Sequence, residues 1–329
     1  MALSRKDLLR QARQWKKVLE LLNDDSISVD TIVSKHPWLQ PGTVETTTDT
    51  TTTDTAANTN APQKESKNGD PLNASVLAML EKETGIGSKE AWENIWWLIS
   101  KPEHDNDKKE NAFMSDKKGI SLFAYASALS YDWRERGVTM GIVGFTTGNE
   151  GKDEGDAIDL FKLYNSLGGE DLVPLAKGCT KDKDKCAKLI NKIHSIGDDP
   201  KWIEAQWRAL FADRGYLRQT VNTWKKVGVD KPSALAIGTV FCTSLNQGFD
   251  GKDGGCTNLE KLAVKGDENA TLEKFNAWRS KVAGTNDYNA PPINGKNRAL
   301  QYEKLRQAKC FSLTNCDAEI KKAISWEMK

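Results

Sequence analysis

The chain has 329 residues, of which 38% are hydrophobic and 28% charged, so it can bury a sizeable core. Its formal net charge of +1 gives no overall attraction to nucleic acid or to an anionic membrane. No apolar run reaches the roughly 18 residues that a membrane-spanning helix needs. Charged residues follow Met1 almost at once, so no secretory signal peptide is expected.

Two regions precede the predicted globular part. Residues 4–23 carry apolar side chains on one helical face, and a short second helix ends before Pro37. The segment 1–40 is too small to hold a large core alone. It is interpreted either as a docking segment for a secretion-apparatus or chaperone protein, or as a fragment that packs on the main domain. Residues 41–71 are rich in threonine without an apolar period, which predicts a disordered linker.

Residues 72–329 are predicted to form one globular domain that is mainly α-helical with a small β-element. The first helices are expected at about 73–83, 89–101 and 120–129, and a glycine-punctuated strand at 138–145. Trp92 and Trp96 lie at helical spacing and are interpreted as core residues rather than sugar-stacking groups. Further helices are predicted from Asp156 and at 200–214, 216–228, 232–246, 257–264, 270–283 and 297–309.

Six cysteines fall in three close pairs, all in the C-terminal part of the chain. Short loops close easily, so local disulfide bonds are predicted, and these would require an oxidising compartment. The alternative is three pairs of free thiols in a cytosolic protein. No metal site is expected, because Cys-x-x-Cys is absent and the histidines are scattered. The predicted pairs are Cys179 with Cys186, Cys242 with Cys256, and Cys310 with Cys316.

Carboxylates are the remaining candidates for catalysis, since the chain has no phosphate-binding loop, nucleophile elbow or His-Glu-x-x-His motif. Glycoside hydrolysis needs one protonated carboxyl group and one ionised carboxylate. Glu103 follows an apolar, tryptophan-rich helix, a setting that favours the protonated form. Asp132 and Glu135 lie beside arginines, which favour the ionised form. The alternatives are a solvated glutamate at a helix end and a surface ion pair.

The stretch 136–148 carries a resemblance to a known family. Its residues resemble the Arg-Gly-Tyr-Thr-x-Gly-Ile-Ile-Gly-Phe-x-Ser-Gly signature of the family 46 glycoside hydrolases, the chitosanases of the lysozyme superfamily. Weaker similarities extend it over about residues 88–312. From the residues alone, the same stretch is also typical of a surface hairpin. The resemblance implies an α+β lysozyme-like fold, a two-lobed helical domain with the small β-element at the cleft.

The resemblance also implies roles for single residues. Glu103 matches the family's general acid, and Thr139 matches the threonine that positions the attacking water. The family's catalytic base falls on Arg134 here, so Asp132 or Glu135 must supply it, with Asp132 preferred. The implied mechanism inverts the anomeric centre and uses no cofactor or metal. Two further positions match sugar-contacting residues, namely Arg136 and Asp156.

The predicted function is endo-hydrolysis of a β-1,4-linked amino-sugar polymer. Peptidoglycan is preferred over chitosan, because chitosan is a polycation and the chain has no acidic excess. A protein with predicted disulfide bonds but no signal peptide is similar to the toxic cargo of type VI secretion systems. The similarity implies export by another route and action in the periplasm of a target cell or outside the cell. It also implies a cognate immunity protein. Because Arg134 replaces the base, an inactive wall-binding or adaptor module remains an alternative.

Overall fold

The computed structural model describes residues 69–114, 120–128, 137–149, 153–179, 182–283 and 295–326. The predicted N-terminal segment 1–40 lies outside these residues, as does the linker up to residue 68. None of the described helices combines the length and apolar character that crossing a membrane requires.

The described residues are mainly helical, with two small antiparallel sheets, which confirms the predicted fold class. Strands β1 (Ala126–Ala128), β2 (Val138–Met140) and β3 (Phe145–Thr146) form one sheet, and β4 (Gly148–Asn149) pairs with β5 (Asp153–Glu154). The helices are α1 (Ala74–Thr84), α2 (Lys89–His104), α3 (Ala157–Ser166), α4 (Val173–Cys179), α5 (Lys183–Ile196), α6 (Pro200–Ala209), α7 (Tyr216–Lys226), α8 (Ala234–Gln247), α9 (Gly255–Leu262), α10 (Glu268–Ala283), α11 (Gly295–Gln307) and α12 (Asp317–Ile324).

Helix α2 runs through the core. Trp92 and Trp96 are fully buried, which confirms their interpretation as core residues. The ring centroid of Trp96 lies 4.9 Å from that of Trp207 on α6, in an edge-to-face arrangement. The amide of Asn94 donates a hydrogen bond to the backbone oxygen of Leu313, 2.7 Å away. Aromatic packing and this long-range hydrogen bond together fix the helix in place.

The C-terminal end of α2 differs from the prediction. The helix was expected to stop at Pro102, but it continues to His104. Proline has no N–H group to donate to the oxygen of Leu98. The side-chain amide of Gln301 on α11 donates to that oxygen instead, at 2.8 Å. Asp105, with φ 55°, then ends the helix by donating its own N–H to Lys101.

Residues 120–129 were expected to form a helix, and this expectation is wrong. A single 3-10 turn at Leu122–Ala124 is followed by strand β1. Pairing with β2 supplies backbone hydrogen bonds and buries Ala126, so tertiary structure overrides the helical pattern.

The expected single strand 138–145 is a hairpin in the structure. Strands β2 and β3 flank a tight turn in which Gly141 and Gly144 have φ angles of 75° and 77°. A Cβ atom at Gly141 would lie 2.3 Å from Oε1 of Gln206. That oxygen accepts a hydrogen bond from the N–H of Ile142 at 3.0 Å. Glycine is therefore required both for the backbone angle and for the close approach of α6.

None of the three predicted disulfide bonds is present in the described structure, in which all six cysteines are free and buried. Cys242 and Cys256 face different partners rather than each other. The Nη2 group of Arg279 donates to the sulfur of Cys242 at 3.6 Å. The sulfur of Cys256 lies 3.9 Å from the hydroxyl oxygen of Ser244.

The other two cysteine pairs are adjacent, as their spacing predicted, but as thiols. Burial raises the pKa of Cys179 to about 12, and the hydrogen-bonded thiol of Cys186 contributes to the shift. Burial and the thiol of Cys316 likewise raise the pKa of Cys310 to about 12. Cys179 and Cys310 are therefore protonated at neutral pH, and each interacts with its neighbouring cysteine through a hydrogen bond.

Candidate active site

Glu103 lies on the last turn of α2, and its side chain is 41% exposed. Its Oε1 accepts a short hydrogen bond from Nη1 of Arg298 on α11, and the two groups form an ion pair. The Arg298 side chain is only 3% exposed. The carboxyl group therefore faces solvent while a buried guanidinium holds it from behind, unlike a simple solvated glutamate at a helix end.

Arg298 is a fixed positive charge beside Glu103. Burial alone would lower its pKa, but the Glu103 carboxylate and the Cys242 sulfur outweigh burial, and the pKa is raised overall. A neighbouring cation favours an ionised carboxylate, whereas a general acid must carry a proton. Arg298 therefore holds the carboxyl group of Glu103 by its charge as well as by a hydrogen bond.

Thr139 is the central residue of β2, opposite Ser127 on β1 and Thr146 on β3. Its hydroxyl oxygen is buried and makes no hydrogen bond to the residues that the structure describes. A buried hydroxyl normally has a partner. The hydroxyl of Thr139 therefore has unused capacity to form a hydrogen bond.

Asp156 occupies the N-cap position of α3 and accepts a hydrogen bond from the backbone N–H of Thr146 at 2.7 Å. Desolvation by the surrounding protein raises its pKa, and hydrogen bonds from the N–H groups of Thr146 and Ala157 oppose this only in part. The pKa of Tyr216 is also raised, first by burial and then by the charge of Asp156. Asp156 thus joins β3 to the start of α3.

The structure brings the predicted site residues together only in part. Thr139 and Asp156 share Thr146 as a neighbour. Within the described ranges, no hydrogen bond or ion pair joins Glu103 to either of them. The remaining candidates lie outside the described residues, namely Asp132, Glu135 and Arg136.

Sequence reasoning missed the residues of α11 that contact the end of α2. Arg298 and Gln301 are three positions apart, so they lie on one helical face, and both reach α2. The signal available in the sequence was a pair of long polar side chains at helical spacing beside buried apolar positions. That pattern alone is typical of many surface helices.

One group of described residues has metal-ligand geometry. The ligand atoms of Cys310, Cys316 and Glu319 all lie within 4.8 Å of one another. Zinc requires thiolates, however, and the pKa of Cys310 is raised to about 12 by burial and by Cys316. Burial of Cys310 thus opposes the thiolate form that a metal ligand needs, and no catalytic step is assigned to this group.

No protein-family model matches the chain. It is 32% identical over 278 residues to a chitosanase from Niallia circulans, a match that covers 79% of this chain and 85% of the relative. A native chitosanase from Bacillus subtilis MY002 has a similar fold, with a TM-score of 0.50, 18% identity, and coverage of 69% of this chain and 93% of that one. A GH46 chitosanase of Gynuella sunshinyii, solved with chitotetraose, gives a TM-score of 0.49 at 17% identity and the same coverage.

The sequence match to the Niallia relative spans most of both chains. It agrees with the signature at residues 136–148 and with the helical architecture. The chain therefore belongs to the family 46 glycoside hydrolases, the chitosanases.

Proposed function

We propose that this hydrolase cleaves internal β-1,4 bonds of a chitosan-type amino-sugar polymer, with Glu103 as its general acid. The observation that carries the proposal is the Glu103–Arg298 pair at the end of α2, in a chain 32% identical to a chitosanase. The carboxyl group is exposed enough to reach a substrate. Its position is fixed by a buried partner on a second helix, as a catalytic group requires.

The proposed mechanism is a single displacement. Glu103 donates a proton to the glycosidic oxygen, while Asp132 or Glu135 removes a proton from a water molecule on the opposite face of the sugar. The buried hydroxyl of Thr139 holds that water. Inversion requires the acid and the base to lie roughly 6.5–9.5 Å apart, which leaves room for the water. Arg136 and Asp156 are proposed to contact the sugar units.

Peptidoglycan is a second candidate substrate. The observation in its favour is the net charge of +1, because an acidic excess would attract a polycation such as chitosan and this chain has none. Peptidoglycan shares the β-1,4-linked amino-sugar backbone. With this substrate the protein would act as an antibacterial toxin in a target cell's envelope, delivered through residues 1–40 and neutralised by an immunity protein.

Mass spectrometry of the fragments released from chitosan and from purified peptidoglycan separates these candidates. The samples are the wild type, Glu103→Gln, and Glu260→Gln as a matched control, since Glu260 forms an exposed ion pair with Lys226. Glucosamine oligomers from the wild type and the control, but not from Glu103→Gln, would support the proposal. Muropeptides with reducing N-acetylmuramic acid ends would select peptidoglycan instead. No cleavage of either polymer would favour an inactive binding module.

A further inference from the structure

The side chains of the small β-sheet alternate between a buried face and a more open face. Val138 and Met140 of β2 are fully buried, whereas Thr139 between them is half-buried. Ala126 of β1 is likewise buried, and Ser127 beside it is half-buried. Because successive side chains of a strand point to opposite faces, Ser127 and Thr139 share the face that is turned away from the core.

Strand pairing places three hydroxyl groups in one row on this face. Ser127 of β1 is directly opposite Thr139 of β2, and Thr139 is directly opposite Thr146 of β3. Directly opposite residues of an antiparallel pair have Cβ atoms about 4.5–5.5 Å apart. Thr139 is therefore flanked by one hydroxyl-bearing side chain on each neighbouring strand.

The flanking hydroxyls do not satisfy the hydroxyl of Thr139 directly. Its Oγ1 atom is buried and has no hydrogen-bond partner among the described residues. One water molecule can bridge two groups at this spacing, because two hydrogen bonds of about 2.8 Å each span up to about 5.6 Å. A buried polar oxygen that no side chain reaches is normally satisfied by an ordered water molecule.

Of the two flanking hydroxyls, that of Ser127 has a described partner. Its Oγ atom lies 2.9 Å from the hydroxyl oxygen of Tyr125, two positions earlier in the chain. This hydrogen bond restricts rotation of the Ser127 hydroxyl, which can still form at least one more. At Thr146 the backbone N–H, rather than the hydroxyl, donates to Asp156. Ser127 is therefore the better-ordered second partner for a water molecule bound to Thr139.

We propose that Ser127 and Thr139 together hold the attacking water, which makes Ser127 a further catalytic residue. The inference rests on the proposed function, in which this water is activated by a base. In the reaction, the water oxygen bonds to the anomeric carbon as the bond to the leaving sugar breaks. One proton of the water passes to the base carboxylate, and Glu103 protonates the leaving oxygen.

Two hydroxyls match the groups that the water does not use in this step. A water molecule has two protons and two lone pairs, and the reaction uses one of each. The remaining proton and the remaining lone pair fit one hydroxyl that accepts and one that donates. A water held by Thr139 alone is free to rotate about a single hydrogen bond. The second hydrogen bond, from Ser127 on the neighbouring strand, fixes the direction of attack.

The water site is tested by crystal structures of the wild type and of Ser127→Ala, since this readout does not depend on activity. We expect a wild-type water molecule within about 3.2 Å of both Oγ of Ser127 and Oγ1 of Thr139. The same position should hold no ordered water in Ser127→Ala. A water that contacts Thr139 alone or together with Thr146, or one that keeps its place in Ser127→Ala, would overturn the proposal.

Initial rates on chitosan test the effect on catalysis, with Tm measured for each variant. Ser127→Ala should lower kcat about 5- to 20-fold with little change in KM, as expected for one lost hydrogen bond. Ser127→Thr keeps a hydroxyl and should retain most of the rate. Ser166→Ala is the matched control, because the exposed hydroxyl of Ser166 donates only to the backbone oxygen of Leu163. A wild-type kcat in Ser127→Ala would contradict the catalytic role.

A double-mutant cycle with Thr139→Val distinguishes a shared water molecule from two independent effects. If both hydroxyls hold the same water, the double variant should be hardly slower than Thr139→Val alone. Losses in kcat that multiply would show that Ser127 acts independently of Thr139, and the proposal would be wrong.

The two proposals fail in distinguishable ways. If the wild type cleaves neither chitosan nor peptidoglycan, the proposed function fails, while the crystal structures still decide whether Ser127 and Thr139 share a water molecule. If chitosan is cleaved but no shared water is found, only the inference about Ser127 fails.

Discussion

At the scale of single residues, the site combines an exposed carboxyl group with a buried cation. Glu103 is 41% exposed and Arg298 only 3%. An exposed ion pair would contribute little to stability. Here the arginine is fixed by its burial in the core, so the pair orients the carboxylate toward solvent. The structural role of Arg298 is therefore to hold the carboxyl group of Glu103 at the protein surface.

Asp156 gives a pH-dependent prediction. Its folded-state pKa is raised above the ordinary value of 3.8, so the folded protein binds this proton more tightly than the unfolded chain. Stability contributed by the protonated group is therefore present at low pH and is lost as pH rises from about 3.8 through the folded-state pKa. The asparagine of Asp156→Asn cannot ionise, so this loss of stability with rising pH does not occur. Its amide oxygen can still accept the hydrogen bond from the backbone N–H of Thr146.

We expect Asp156→Asn to increase Tm relative to the wild type at about pH 7 and to have a smaller effect at about pH 3. Thermal unfolding followed by circular dichroism at both pH values measures the difference. Asp159→Asn is the matched control, since Asp159 is an exposed acid on the first turn of the same helix. A difference in Tm between Asp156→Asn and the wild type that is the same at both pH values would contradict the raised pKa of Asp156.

At this scale the sequence predicts single side chains better than their partners. The end of an apolar helix identifies Glu103 as a candidate. Its partner Arg298 lies 195 positions away in the chain, and no local pattern connects the two. The cysteine pairs show the same limit. Spacing predicts that Cys310 and Cys316 are adjacent, but only the fold reveals that Cys242 faces Arg279.

At the scale of elements, the end of α2 depends on α11. Pro102 leaves the oxygen of Leu98 without its helical donor, and Gln301 replaces that donor from outside. The same face of α11 carries Arg298. The two contacts hold the last turn of α2, and therefore Glu103, against α11.

This arrangement predicts a coupling between two substitutions. Gln301→Ala should lower the free energy of unfolding by about 1–3 kcal/mol, because the buried oxygen of Leu98 loses its donor. In a Pro102→Ala background the restored backbone N–H can reach that oxygen, so the same change should have a smaller effect. Urea unfolding of both single variants and of the double variant measures the coupling. Strictly additive effects would show that Gln301 does not replace the missing helical donor.

The element predictions failed where tertiary contacts decide the structure. Proline is a sound stop signal in isolation, but Gln301 compensates for Pro102 in the folded protein. Residues 126–128 have a helical pattern, yet pairing with β2 makes them a strand. Helices with a strong apolar period, such as α7 and α9, were predicted to within a few residues because burial of one face decides them.

At the scale of the whole molecule, the buried hydrophobic residues of the described part run from Leu72 to Ile324 and form one cluster. The described residues therefore pack around a core that begins after the predicted linker. Within this core α2 contributes Trp92 and Trp96 at its centre and Glu103 at its surface end. Under the proposed mechanism, stability and catalysis therefore depend on the same helix.

We expect the fragment 69–329 to fold and to retain the kcat of the full chain on chitosan, because the core and the described site residues all lie within it. Tm and initial rates of the fragment and the full chain, measured side by side, check this. Binding of a delivery partner is the property that the fragment should lose, if residues 1–40 are a docking segment. An insoluble fragment, or one with a much lower Tm, would show that the N-terminal residues belong to the catalytic domain.

The most direct test of the proposed function is the initial rate of glucosamine-hexamer cleavage by the wild type, Glu103→Gln and the control Glu260→Gln, with Tm measured for each. Glutamine can still accept from Arg298 but cannot donate an acidic proton. We predict that Glu103→Gln lowers kcat by about 10²- to 10⁴-fold in a variant that is still folded at the assay temperature, while the control keeps the wild-type rate. A Glu103→Gln variant as fast as the wild type would contradict the assignment of Glu103 as the general acid.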